Sequence, residues 1–217
     1  MVADDGELIP PGAFLPIAER MEIIDRIDRW VARTAIRLLA REQQAGNELR
    51  LHVNLSPLSI ADEELPAYLA AELRSARADG RGLCLEITET AAIVNMDLAR
   101  RFASRVAELG CEFALDDFGS GFASFYYLKH LPFDYLKIDG EFIRDLPNSE
   151  TDQLVVKSIC EIAHGLGKRT IAEFVSDPQT VALLERYGVD YAQGFEISKP
   201  VPIAEIDLSR PFTDRSE

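Results

Sequence analysis

Two adjacent carboxylates, Asp116 and Asp117, end the apolar run Phe113-Ala114-Leu115 and stand directly before Phe118-Gly119-Ser120-Gly121. Neighbouring carboxylates repel one another unless something positive lies between them. A metal ion or a well-placed lysine would meet that need. A plainer reading makes Asp116 a helix cap and leaves Asp117 solvated. The rest of the chain favours the first reading. Asn54, Glu86, Lys137, Glu173 and Gln193 also stand at or near the ends of short apolar runs. Carboxylates and an amide oxygen are hard donors, suited to Mg²⁺ or Mn²⁺ rather than to a thiol- or imidazole-bound metal. Lys137 is the one fixed cation in the set. It could orient a water or a phosphate oxygen, or form a structural ion pair with Asp116 or Asp117. For Glu86 and Glu173 the plainer alternative is a barrel-mouth position with only water as partner.

Those residues need elements to position them, and the hydrophobic pattern supplies six. Strands are expected at 49–54, 83–87, 111–115, 135–139, 169–173 and 191–193, the last running into Gly194-Phe195. Helices are expected over about 64–78, 98–109, 152–166 and 178–187, with a short one carrying Phe125, Tyr126 and Leu128. One long helix is expected to precede them all. Ile17, Met21, Ile24, Val31, Ala35 and Leu38 would form its apolar face, with Trp30 beside it as a core or interface aromatic and Gly46-Asn47 at its end. Ile9-Pro10-Pro11-Gly12 reads as a turn. Alternating strands and helices mean parallel strands with helices packed outside them. In a parallel barrel all C-terminal strand ends open on one face, so the six polar ends would converge there. No G-x-G-x-x-G opens the first unit, which leaves a dinucleotide-binding fold without support.

Composition narrows the function. A net charge of −14 argues against a nucleic-acid polymer or an anionic membrane as partner. It also means that a phosphate substrate would need divalent metal to approach. The three cysteines, Cys84, Cys111 and Cys160, are scattered and read as reduced core residues. His52, His130 and His164 follow no ligand spacing. No run is long enough to span a bilayer and no signal peptide opens the chain, so a cytoplasmic location is expected.

At these residues the sequence resembles the EAL family of cyclic di-GMP phosphodiesterases. The segments that carry the resemblance are Val53-Asn54-Leu55-Ser56, Leu85-Glu86-Ile87-Thr88-Glu89, Leu115-Asp116-Asp117-Phe118-Gly119, Leu136-Lys137-Ile138-Asp139, Ala172-Glu173 and Gln193-Gly194-Phe195. They cover about residues 6–202 of a single 217-residue domain, with 203–217 as a tail. The resemblance implies a TIM-like α/β barrel that opens cyclic di-GMP to linear pGpG with two Mg²⁺ or Mn²⁺ ions. It implies metal ligands at Asn54, Glu86, Asp116, Asp117 and Glu173, and catalytic roles for Lys137, Glu173 and Asp117. Substrate contacts are implied at Gln193, Asp139 and Gly194. A loop of Phe118, Gly119, Ser120 and Gly121 would couple a homodimer to the site, with Phe122, Phe125, Tyr126 and Tyr127 as the apolar surface. A sensory or cyclase domain could lie upstream in a longer chain.

Three departures qualify the resemblance. The family's Glu-Ala-Leu segment, a metal ligand with it, has no counterpart, so the barrel is expected to be incomplete at its first strands. Ser176 stands where the family often has a glutamate associated with anchoring the loop after Asp117, which implies a looser loop. Phe174 stands where glycine is frequent. Three functions follow: a phosphodiesterase, a cyclic di-GMP receptor or interaction module that has lost hydrolysis, and a barrel enzyme with other metal-dependent chemistry.

Overall fold

The computed structural model describes residues 9–119 and 125–208. Its elements, in order, begin with α1 (Pro11–Arg20), α2 (Ile24–Ala45), β1 (Leu51–Asn54), α3 (Pro57–Ala61), α4 (Leu65–Ala76), β2 (Leu83–Thr88), α5 (Glu89–Val94) and α6 (Met96–Glu108). They continue with β3 (Glu112–Phe118), α7 (Phe125–His130), β4 (Tyr135–Ile138), α8 (Gly140–Ile143), α9 (Glu150–Gly165), β5 (Arg169–Ala172), α10 (Pro178–Tyr187) and β6 (Tyr191–Ala192). The six strands form one sheet in sequence order, every neighbouring pair parallel. β1 and β6 are its two edges. This is a (β/α) barrel left incomplete.

Period-two alternation divides each strand between two faces. Leu83, Leu85, Ile87, Phe113, Leu115, Leu136 and Ile138 are buried in the main core, which also holds Ala32, Ile36 and Leu39 of α2 and Phe102 and Val106 of α6. Burying side chains of this size stabilises by about 1.5–3 kcal/mol each, before the entropy of ordering them. The intervening residues face the barrel interior. There Cys84, Ala114, Tyr135 and Ile171 make a second, small cluster. Near the N-terminal ends of the strands, Glu112 accepts from Arg50 at 2.9 Å, Arg169 at 2.5 Å and the Tyr135 hydroxyl at 3.2 Å. The interior is therefore plugged at one end, and the polar strand ends crowd the other. All three cysteines are free and buried, as their spacing suggests.

Several local readings need correction. The expected first long helix is two. The chain breaks between Arg20 and Ile24, where Glu22 takes a left-handed φ of 54°. Ile17 and Met21 are exposed at 46% and 64%, and the buried face of α2 starts at Ile24 and continues through Ala32, Ile36 and Leu39. Trp30 is 58% exposed and lies outside the core. Pro11 is not in a turn but in the first position of α1, where its missing N–H costs nothing. Short helices α3, α5 and α8 occupy stretches where the hydrophobic pattern indicated no element. Each is capped by a side chain just ahead of it, from Ser56, Thr88 and Asp139 respectively. The expected tail includes a helical turn at Ile203–Glu205.

Candidate functional site

The two aspartates lie inside β3, not beyond it. Adjacent residues of a regular strand point to opposite faces. Asp117 breaks that rule with a φ of 54°, and the ladder between β3 and β4 shifts register between Leu115 and Phe118. The irregularity turns Asp117 back toward Asp116, which is how a bulge re-aims a side chain. Oxygens of Asp116, Asp117 and Glu173 consequently lie within 4.8 Å of one another. Glu173 reaches the group from just past the end of β5.

Lys137 sits at the centre. Its side chain is 4% exposed, and its Nζ lies 2.8 Å from Glu86, 2.9 Å from Asp116 and 2.8 Å from Glu173. Burial disfavours its charge, but the three carboxylates outweigh that and hold its pKa above the ordinary lysine value. The sequence alternatives for Lys137 named Asp116 or Asp117 as an ion-pair partner. The structure selects Asp116 and adds two glutamates from other strands. Neither Glu86 nor Glu173 is a water-facing mouth residue, since their side chains are 2% and 11% exposed.

The carboxylates are not equivalent. Burial pushes Glu86 up, but a hydrogen bond from His52 and the charge of Lys137 outweigh it and hold the group below its usual range. Burial raises Glu173, and repulsion from Asp116 and Glu86 adds to it beyond what Lys137 offsets. Asp117 is raised by burial, then by Asp116 and Asp139. One ammonium thus leaves negative charge in excess at the trio. Crowded oxygen donors, with Asp117 and Glu173 raised by burial and mutual repulsion, are what a hard divalent cation would satisfy, so these residues fit such an ion.

The other candidates divide. Asn54 is exposed at the end of β1, in register with Glu86. Gln193 is exposed just past β6. Asp139 caps α8, accepting from the Glu141 N–H at 2.7 Å. Gly194 is pressed against β5's continuation: a Cβ there would lie 2.1 Å from the Val175 carbonyl oxygen. Its identity is accounted for by that backbone approach. Ser120, Gly121, Phe122 and the side chains of Phe125, Tyr126 and Tyr127 lie outside the described residues.

Two features escaped the sequence reading. Glu89, fully buried at the start of α5, accepts from the Gly119 N–H at 2.8 Å and so holds the beginning of the loop after β3. Ser176, considered for its bearing on that loop, is exposed. A glutamate three residues after Glu86 was visible, but nothing local linked it to Gly119, thirty residues away. Phe174 takes a φ of 55°, which explains why glycine suits that position. Its ring packs on Gly140, and the Arg144 guanidinium lies 4.1 Å from the ring centroid.

The model of the EAL domain matches residues 1–200. The chain belongs to the EAL domain family. This EAL domain is 38% identical over 199 residues to the cyclic di-GMP phosphodiesterase PdeB of Shewanella oneidensis, covering 92% of the chain and 23% of that protein. It is 34% identical over 205 residues to the cyclic di-GMP phosphodiesterase PdeF of Escherichia coli, covering 94% of the chain and 27% of that protein. The chain therefore spans about a quarter of the length of these curated relatives. Among solved structures, the FimX EAL domain of Pseudomonas aeruginosa bound to c-di-GMP superposes with a TM-score of 0.88 at 32% identity, covering 96% of this chain and 84% of that one. The PaMucR phosphodiesterase in complex with c-di-GMP gives 0.88 at 32%, covering 93% and 82%. The EAL fold and its resemblance to phosphodiesterases are thus shown for this chain. No helix among the described residues is long and apolar enough to cross a membrane.

Proposed function

We propose that this EAL domain is a divalent-cation-dependent phosphodiesterase that opens cyclic di-GMP to linear pGpG. The observation that carries the reading is the acidic trio of Asp116, Asp117 and Glu173 gathered around a buried Lys137 at the open end of the barrel. Asp116, Asp117 and Glu173 would hold Mg²⁺ or Mn²⁺, with Glu86 and Asn54 completing a two-ion set. Bound divalent cations supply Lewis-acid polarisation of a phosphoryl oxygen and of the attacking water. The chain's own residues do the rest. Lys137 fixes three carboxylates with its three N–H donors, and a cation that took over one of those carboxylates would free an N–H to hold a water. Burial of the cluster raises the strength of every charge interaction within it. Glu89 holds the start of the loop after Asp117. Excess negative charge also gives an anionic phosphodiester no reason to enter without cations. The three unpaired thiols support a cytoplasmic setting. A homodimer formed through the segment after Asp117, and a sensory or cyclase domain upstream, belong to the same reading.

A second reading is favoured by one observation: two FimX EAL domains bound to c-di-GMP superpose with TM-scores of 0.88 and 0.89. In that reading the domain binds the dinucleotide without cleaving it. Chromatography of cyclic di-GMP incubated with the purified chain and Mn²⁺ separates the two. A pGpG peak that disappears with Asp116→Asn supports hydrolysis. Binding of cyclic di-GMP with no product, unchanged by Asp116→Asn, supports the receptor.

A further inference from the structure

We infer that His52 is a positioning residue for Glu86, holding that carboxylate in the orientation from which it joins the divalent-cation site. The inference rests on the metal reading of the acidic trio given above. His52 lies on β1, paired in register with Cys84, and its side chain faces the barrel interior with Glu86. Its Nδ1 is 2.5 Å from Glu86 Oε1. An ionised carboxylate only accepts, so Nδ1 carries the proton in this contact. Glu86 Oε2 is 2.8 Å from Lys137 Nζ. Both oxygens of a side chain that is 2% exposed are therefore fixed, one by imidazole and one by ammonium.

The imidazole is itself held. Its ring meets Tyr135 edge-on, with centroids 5.2 Å apart and planes at 68°. Tyr135 is fully buried, its hydroxyl donates to Glu112, and the Arg169 guanidinium lies 4.1 Å from its ring centroid. A chain of contacts thus runs from the polar plug at one end of the barrel to Glu86. Glu86 stands outside the Asp116–Asp117–Glu173 trio and touches two of its members only through Lys137. Its direction consequently decides whether it can reach a cation there. Partners that orient a ligating carboxylate typically change metal affinity 10- to 100-fold when removed.

The test is Mn²⁺ affinity of the purified chain, measured by electron paramagnetic resonance of free Mn²⁺. His52→Phe keeps a ring against Tyr135 and removes the donor. His52→Asn keeps a donor near the Nδ1 position and removes the ring. The expected result is about 10-fold or greater weakening for His52→Phe, with His52→Asn within about 3-fold of the parent because its amide restores the bond to Glu86. Equal affinity of His52→Phe and the parent overturns the inference. So does an equal loss in both variants, which would mark the ring's packing as the relevant property. If His52→Phe does not fold, His52→Leu replaces it with the same criteria. Asp116→Asn is the control: unchanged Mn²⁺ binding there overturns the metal site itself, and the positioning role with it.

Discussion

Replacing Lys137 with methionine removes the one ammonium shared by three buried carboxylates and keeps most of the side chain's volume. The partner side chains of Glu86, Asp116 and Glu173 are 2%, 11% and 11% exposed, so water cannot take over from the lysine. Breaking a buried charge pair from one side costs about 3–5 kcal/mol. The ammonium's own burial penalty is recovered, and the stranded carboxylates can relieve part of the repulsion by taking up protons. These offsets put the expected net loss at the lower end of that range, about 3 kcal/mol at pH 7. With a urea slope of about 2–3 kcal/mol per molar, that moves the unfolding midpoint down by about 1–1.5 M. The pH dependence carries a sign. In the wild type, Lys137 has a raised folded pKa, so its contribution is complete below the unfolded lysine value and is lost only as pH rises through the folded one. In the variant, Glu173, already raised by burial, loses the lysine's offset and stands further above its unfolded value. The folded state then binds more protons than the unfolded state, and its stability rises as pH falls toward about 5. The deficit relative to wild type should therefore narrow on acidification, and Mg²⁺ should narrow it at pH 7. Urea titrations at pH 7 and pH 5, with and without Mg²⁺, measure all of this. A deficit below about 1 kcal/mol at pH 7, or one that is the same at both pH values, would refute the account of Lys137 as the cation that holds the cluster together.

Two further outcomes follow from the same geometry. Asp117→Asn should raise the melting temperature by about 2 °C in metal-free buffer at pH 7, because the ionised carboxylate is disfavoured by burial and by Asp116, and asparagine tolerates the left-handed φ. That carboxylate cost is absent below its unfolded pKa and grows as pH rises through the folded value, so the gain should vanish near pH 3 in calorimetry. Gly194→Ala forces a Cβ to within 2.3 Å of both the Val175 carbonyl oxygen and its N–H nitrogen. Backbone cannot swing aside as a side-chain tip can, so a loss of about 1–3 kcal/mol in chemical denaturation is expected. A stable variant with weakened nucleotide binding would instead assign Gly194 to the substrate.

Much of the fold could be read along the chain because its signals are local. The core strand and longer-helix boundaries fell within a few residues of expectation, since alternation, proline and glycine act on their immediate neighbours. The break at Glu22 was not legible. Ile17 and Met21 continue the helical spacing, and only the packing of Ile24, Ala32 and Ile36 against the sheet shows which face is buried. The short helices α3, α5 and α8 were missed because each is about one turn held by its cap rather than by an apolar stripe.

The candidate site shows the same division. Residue types and their placement at strand ends determined that carboxylates and one lysine would share a face, because parallel strands present their C-terminal ends together. Tertiary structure alone decided their partners. The left-handed Asp117 turns two neighbouring carboxylates to one side. The ladder register brings Lys137 to Glu86, fifty-one residues away, and His52 to the same carboxylate across thirty-four. Asp139 caps α8 while its charge still acts on Asp117, and Glu89 was recruited to hold Gly119. Each of these depends on distances across the barrel and on burial, which leaves no buried side-chain polar atom among the described residues without a partner. Those quantities exist only once the strands are paired, so no window of sequence contains them.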